Sequence, residues 1–169
     1  MSASPSTSGP LVLVVEDDPG VRHFLTAGLP AHGYRVREAI TAEAGLRDAA
    51  QYMPDLVLLD LGLPDLDGLE VTRRLRAWSR VPIVVISARG QEAQKVLALD
   101  AGADDYLTKP FERAALLLAV ERTLRSRRLV DENRRLSEEV RDRDRRRGSP
   151  RGPSSWTSSA AASPWTAPR

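Results

Sequence analysis

Four separated stretches of the chain offer side chains suited to phosphoryl chemistry. Glu16, Asp17 and Asp18 follow one apolar run, Asp60 ends a second, Ser87 ends a third, and Thr108 and Lys109 close a fourth. Carboxylates brought close together repel and raise one another's pKa unless a cation separates them. A hard divalent ion such as Mg²⁺, held by carboxylate and carbonyl oxygens, relieves that repulsion and commonly keeps places for phosphate and water. The remaining phosphoryl oxygens then need donors, which a lysine and a hydroxyl supply. Asp60 ends the most apolar run and precedes a loop punctuated by Gly and Pro, 61–68. It is the natural nucleophile for in-line attack on phosphorus, giving an acyl phosphate. Singly, each residue has a plainer reading: Asp18 as a helix cap, Ser87 as a loop residue, Lys109 as a solvated charge. Glu43, Asp55, Asp65 and Asp67 read as caps, turns and surface, and His23 and His32 as surface or packing residues. The chemistry lies in the combination.

For these groups to meet, the apolar runs must be neighbouring strands that end at one rim. Leu11–Val15, Leu56–Leu59 and Ile83–Ile86 are short runs of Val, Ile and Leu, as buried strands are, and Tyr34–Ala39 and Asp105–Thr108 read as two further strands. Between them the spacing predicts helices. One starts at Pro19 with Val21, Phe24, Leu25 and Leu29; another, Thr41–Gln51, is capped by Thr41. Gly68–Trp78 carries Leu69, Leu75 and Trp78, and Glu92–Ala101 is ended by Gly102. A longer helix from Glu112 carries Leu116, Leu117, Val120 and Leu124. Alternating strands and helices imply an α/β fold with a doubly wound, five-stranded parallel sheet, (βα)5, and an extended last helix. In such sheets the active groups lie just beyond the carboxyl ends of the strands, where the candidates fall.

The 169 residues contain no cysteine, which excludes a disulfide scaffold, a thiolate metal site and a cysteine nucleophile. The longest apolar run, Ala114–Val120, is far short of a bilayer span and no signal-peptide core opens the chain, so a cytoplasmic protein with no membrane contact is expected. Residues 1–112 carry 11 basic and 16 acidic side chains, whereas 113–169 carry 14 and 7, which marks two physically different parts. Lys95 and Lys109 are the only lysines. The expected organisation is a disordered leader over 1–10, one domain over 11–126, a charged helical extension over 127–147 and a disordered tail over 148–169. In the extension, Leu129 and Leu136 can be read as d positions and Asn133 and Val140 as a positions of a short coiled coil; the alternative reading is a solvated, fraying helix. The basic run Arg141–Arg147 comes with no recognition element, so DNA binding is not supported by this chain alone.

The residues also resemble a known family, the response-regulator receiver domain (CheY-like) of two-component signalling. The resemblance runs from Leu11 to about Leu124. It rests on Val14-Val15-Glu16-Asp17-Asp18, on Leu58-Leu59-Asp60-Leu61-Gly62-Leu63-Pro64-Asp65 with Asp67-Gly68, on Val85-Ile86-Ser87-Ala88-Arg89, and on Gly102-Ala103-Asp104-Asp105-Tyr106-Leu107-Thr108-Lys109-Pro110-Phe111. It implies the flavodoxin/CheY-like version of the fold and a sensor histidine kinase as partner. By it, Asp60 is the phospho-acceptor, and Asp17, Asp60 and the Gly62 carbonyl hold Mg²⁺, with Glu16 acting through a water ligand. Ser87 is the hydroxyl that moves to the phosphoryl group, Lys109 pairs with it, and Tyr106 is the aromatic that turns inward. A cis Lys109–Pro110 bond is also implied.

Residues 11–111 are most similar to receivers of winged-helix transcription regulators, particularly those of potassium transport. That subfamily dimerises through charged pairs on the fourth helix, fifth strand and fifth helix. Lys95, Asp100, Asp104 and Asp105 match one half of that set, while Ala115, Ala119 and Glu121 stand where the other half is carried. A homodimer is thus a candidate partner state with half its pairs missing. Residues 112–140 are more similar to the linker helix of regulators that activate the alternative sigma factor. The rival chemistry is a Mg²⁺-dependent phosphohydrolase of the haloacid-dehalogenase type. Such enzymes need a second carboxylate two residues past the nucleophile for proton transfer, and here that residue is Gly62. The aspartyl phosphate is therefore expected to persist as a signal, with the chain catalysing only its own phosphorylation and dephosphorylation.

Overall fold

A computed structural model describes residues 8–88 and 90–148; the greater part of the expected leader and tail, 1–7 and 149–169, lies outside the described residues. The apolar runs form five strands: β1 (Leu11–Val15), β2 (Arg35–Ala39), β3 (Leu56–Asp60), β4 (Ile83–Ser87) and β5 (Asp105–Thr108). They pair in parallel in the order β2-β1-β3-β4-β5. Between them run α1 (Pro19–Gly28), α2 (Ala42–Tyr52), α3 (Gly68–Trp78) and α4 (Glu92–Ala101), and α5 (Arg113–Arg147) follows β5.

Successive side chains of a strand point to opposite faces, so each strand feeds two cores. Leu13, Val15, Val57, Leu59 and Val85 join Ala42 and Ala49 of α2, Val71 and Leu75 of α3 and Ala98 of α4. Val12, Val14, Leu56, Leu58, Val84 and Ile86 join Leu25 of α1 and Leu116, Ala119, Val120 and Leu124 of α5. Full burial stabilises each such aliphatic side chain by about 1.5–3 kcal/mol. The register sets Val14 beside Leu58, Leu58 beside Val84, and Asp60 beside Ile86. Slipping any strand by one residue would turn its apolar set out of its core, so this register fixes which residues reach the rim.

The second strand starts at Arg35, one residue later than its apolar pattern suggests. A short 3-10 turn, Pro30–His32, precedes it and ends on Gly33 in the left-handed region at φ 85°, leaving Tyr34 outside the ladder. Trp78, read as one of the apolar residues of its helix, is 50% exposed because it is the last residue of α3. The last helix begins at Arg113 instead of Glu112, and the Glu112 carbonyl accepts from Leu116 N–H.

The chain divides into a first unit ending at Asp131 and a second starting at Glu132, so the division falls within α5. Every buried residue of α5 lies at or before Leu124. Beyond that point Leu129, Val130, Leu136 and Val140 are exposed. There Arg127–Asp131, Arg134–Glu138 and Asp142–Arg146 form i,i+4 ion pairs. Exposed pairs of this kind are worth about 0.3–0.5 kcal/mol each, and only Asp142–Arg146 has the acid nearer the N-terminus, the better orientation.

Candidate phosphoryl-transfer site

The carboxyl ends of β1, β3, β4 and β5 open on one side of the sheet. Carboxylate oxygens of Glu16, Asp17 and Asp60 lie within 4.8 Å of one another. Glu16 is 1% exposed and Asp60 6%, while Asp17 reaches solvent. Lys109, one residue past β5, sets its Nζ 2.8 Å from Glu16 Oε2 and 3.3 Å from Asp60 Oδ1. Glu16 Oε1 also accepts from Asp18 N–H at 3.0 Å. Burial raises the Glu16 pKa and Asp60 adds to the rise, against the Lys109 and Asp18 donors that lower it. Burial also disfavours the Lys109 ammonium, but Glu16 and Asp60 outweigh it and hold that pKa above the usual lysine range. One ammonium thus answers two buried carboxylates.

The backbone at each strand end is fixed independently of these charges. Asp18 caps α1 through Val21 N–H at 2.8 Å and takes no part in the carboxylate group, so its plain reading is the one the geometry bears out. Arg22 donates to the carbonyls of Glu16 and Asp17 at 3.1 and 3.0 Å, holding the acidic turn from below. Lys109 N–H donates to Ser87 O at 2.8 Å, and the Lys109–Pro110 bond is cis. On the β3 side Gly68 has no room for a side chain, since a Cβ there would lie 2.6 Å from Asp60 O and 2.7 Å from Leu61 Cα.

A cavity of about 280 Å³ joins Asp60, Gly62, Asp67, Ser87 and Lys109. Ser87 is 3% exposed. Tyr106 lies one strand over, half-buried against the core shared with α2 and α3. The residues named for the signalling face lie elsewhere. Lys95 and Asp100 are exposed on α4. Asp104 accepts from Ile83 N–H and Arg76, each at 2.8 Å, and Asp105 is ion-paired with Arg122. Arg22, Arg76 and Arg122 carry no sequence signal for these roles: each reaches backbone or acid on another element, and only the fold sets that reach.

The residues fit a hard divalent cation. The set is all oxygen, one member is exposed and two are buried. Glu16 Oε2, though beside the ammonium, accepts no hydrogen bond of good geometry among the described residues. Such an oxygen can accept from a cation's water shell.

The family model for the response regulator receiver domain matches residues 12–121. The chain is 58% identical over 100 residues to the KDP operon transcriptional regulatory protein KdpE of Escherichia coli (strain K12), covering 59% of this chain and 44% of that one. It therefore spans less than half the length of that relative. Among solved structures it is similar to the BeF3-activated receiver domain of Klebsiella pneumoniae RstA, with TM-score 0.66 and 35% identity over 68% of this chain and 98% of that one. The receiver domain of sensor histidine kinase PA1611 from Pseudomonas aeruginosa PAO1, described with magnesium in its active-site cleft, matches with TM-score 0.65 and 37% identity over 69% and 98%. No helix among the described residues is long and apolar enough to cross a membrane.

Proposed function

Because the chain belongs to the response regulator receiver domain family, we propose that Asp60 is its phospho-acceptor, taking a phosphoryl group from the phosphohistidine of a sensor kinase. The observation that carries this reading is the gathering of three carboxylates within 4.8 Å at a strand-end rim, two of them paired with one ammonium. An Asp60 oxygen attacks phosphorus in line, the new P–O bond forming as the P–N bond to the imidazole breaks. Asp17, Asp60 and the Gly62 carbonyl would hold Mg²⁺, with Glu16 acting through water. When bound, Mg²⁺ neutralises charge on the phosphoryl oxygens. Lys109 supplies the donor for another of those oxygens. Its pairing with Asp60 keeps that carboxylate oriented before the donor arrives.

Phosphorylation replaces the single charge of the Asp60 carboxylate with a phosphoryl group that carries about two negative charges and three strong acceptor oxygens. Ser87, which lines the same cavity, donates to them, and Tyr106 follows into the space it leaves. The output passes to the face made by α4, β5 and the first turns of α5. Regulation of transcription, the role in the name of KdpE, is the process we propose this receiver serves. A homodimer on this face must recruit Asp104 and Asp105 away from Arg76 and Arg122, which restrains it in the unphosphorylated state.

The test is incubation with phosphoramidate and MgCl₂ followed by intact mass. Wild type gains one phosphoryl group, Asp60→Asn gains none, and chelation by EDTA abolishes the gain. A wild type left unmodified overturns the reading. Light scattering with beryllofluoride then decides the assembly: a doubled mass supports the homodimer, and an unchanged one favours a receiver acting on a different protein.

A further inference from the structure

The two halves of the carboxylate site come from elements that share no local sequence. Asp17 follows β1, and the Gly62 carbonyl lies in the loop 61–67 after β3. That loop is closed by Gly68 N–H, from the start of α3, on Leu61 O at 3.2 Å, and is held to β4 by Leu61 N–H on Ile86 O at 3.2 Å. Leu63 is buried in the core on the α2 and α3 side. One further bond pair leaves the loop altogether. The carboxylate of Asp65 accepts from Ala42 N–H at 2.8 Å and from Glu43 N–H at 3.0 Å, the first two amides of α2.

Helix N-termini leave their first amides without partners inside the helix. The side chain of Thr41, the residue at the cap position of α2, accepts from Ala44 N–H at 3.1 Å, and its carbonyl accepts from Gly45 N–H at 3.0 Å. Ala42 and Glu43 are served from the loop after β3, 23 and 22 residues away. These two amides hold the Asp65 carboxyl below the usual carboxylate range. α2 itself is seated on β1 without slack, since a Cβ on Gly45 would lie 2.8 Å from Val15 Cγ2. Close packing of α2 on β1, followed by two hydrogen bonds to Asp65, therefore links β1 to the loop that carries Gly62.

We propose that Asp65 is a positioning residue for the cation site: it braces the β3 loop against the β1 layer, so that the Gly62 carbonyl and Asp17 keep a common distance. This rests on the Mg²⁺ reading above and goes beyond it. Removing the brace leaves every proposed ligand in place but lets the loop drift. The expected loss is about tenfold in Mg²⁺ affinity, as for groups that orient metal ligands from outside the coordination shell.

The experiment titrates MgCl₂ into the full chain and follows the backbone amides of Asp17, Asp60 and Gly62 by NMR, with urea midpoints measured in parallel. Asp65→Ala is expected to weaken Mg²⁺ binding about tenfold. Asp65→Asn keeps one acceptor and should fall between Asp65→Ala and wild type. Thr41→Ala removes a cap of the same helix without touching the loop, so it lowers the urea midpoint and leaves Mg²⁺ affinity at the wild-type value. Asp65→Ala and Asp65→Asn binding Mg²⁺ like wild type would overturn the brace and leave the cation reading standing. So would Thr41→Ala weakening Mg²⁺ as much as Asp65→Ala, since a general effect of α2 would then suffice. A wild type that does not bind Mg²⁺, or an Asp17→Asn variant that binds as well as wild type, overturns the cation reading and the brace with it.

Discussion

The site joins two regions built to different standards of rigidity. On the β1–β3 side both strands are buried almost throughout, the loop after Asp60 is fastened at Leu61, Leu63, Asp65 and Gly68, and no added atom fits at Gly68. On the α4–β5 side the strand is only partly buried. α4 buries Ala98 alone, has no side-chain bond at its N-cap Gln91, and exposes Val96, Leu97 and Leu99. Local opening costs least where few apolar contacts are made. The carboxylates proposed to attack and to hold the cation thus lie in the part that must not move, while Lys109 reaches them from the end of β5. Of the groups proposed to respond, Ser87 ends the neighbouring β4 and Tyr106 lies within the part that can.

That contrast can be broken from either side. Leu59→Ala, in β3, is expected to lower stability by about 3 kcal/mol, read as a shift of the urea midpoint. Gly68→Ala should cost about 2 kcal/mol, because Asp60 O or Leu61 must give way, and it should also slow phosphoryl uptake from phosphoramidate. Val96→Ala on α4 should cost less than about 0.5 kcal/mol. A Val96→Ala loss as large as that of Leu59→Ala would end the comparison. Native-state hydrogen exchange sharpens it: amides of β1 and β3 should exchange only through global unfolding, and those of α4 through a smaller opening. The smallest effect is one of pH. The lowered Asp65 carboxyl contributes stability above the ordinary carboxylate range and loses it as pH falls through the lowered value. The difference between wild type and Asp65→Asn should therefore be constant at neutral pH and shrink in acid, measured by urea midpoints at a series of pH values.

The strands and the rim were legible in the sequence because burial on two faces leaves a run of Val, Ile and Leu, and because the chemistry begins where that run stops. Glu16, Asp17, Asp60 and Lys109 could be picked out as strand-end residues of complementary charge without knowing strand order. Asp65 could be read only as a cap or turn residue, since nothing local says that its carboxylate serves a helix 22 residues upstream. Arg76 and Arg122 were equally silent: a guanidinium reaching the α4–β5 turn from α3, or β5 from α5, has no period in the sequence. Trp78 was correctly placed at the end of its helix, but apolar spacing does not reveal that, among the described residues, no other element covers it there. In the second half of α5 the heptad pattern is visible, but Leu136 and Val140 are exposed in the single chain, where spacing alone gives no partner.

The dual pairing of Lys109 has a consequence for the order in which the protein is made. Lys109 is 49 residues beyond Asp60 and further still from Glu16. Synthesis from the N-terminus therefore completes every carboxylate of the site before the ammonium that makes burial of Glu16 and Asp60 tolerable. A nascent chain that has produced only β1 to β4 carries the acids without their counter-charge, and its sheet lacks both an edge strand and the α5 cover of one face. The last strand to leave the ribosome is the one that licenses burial of the first.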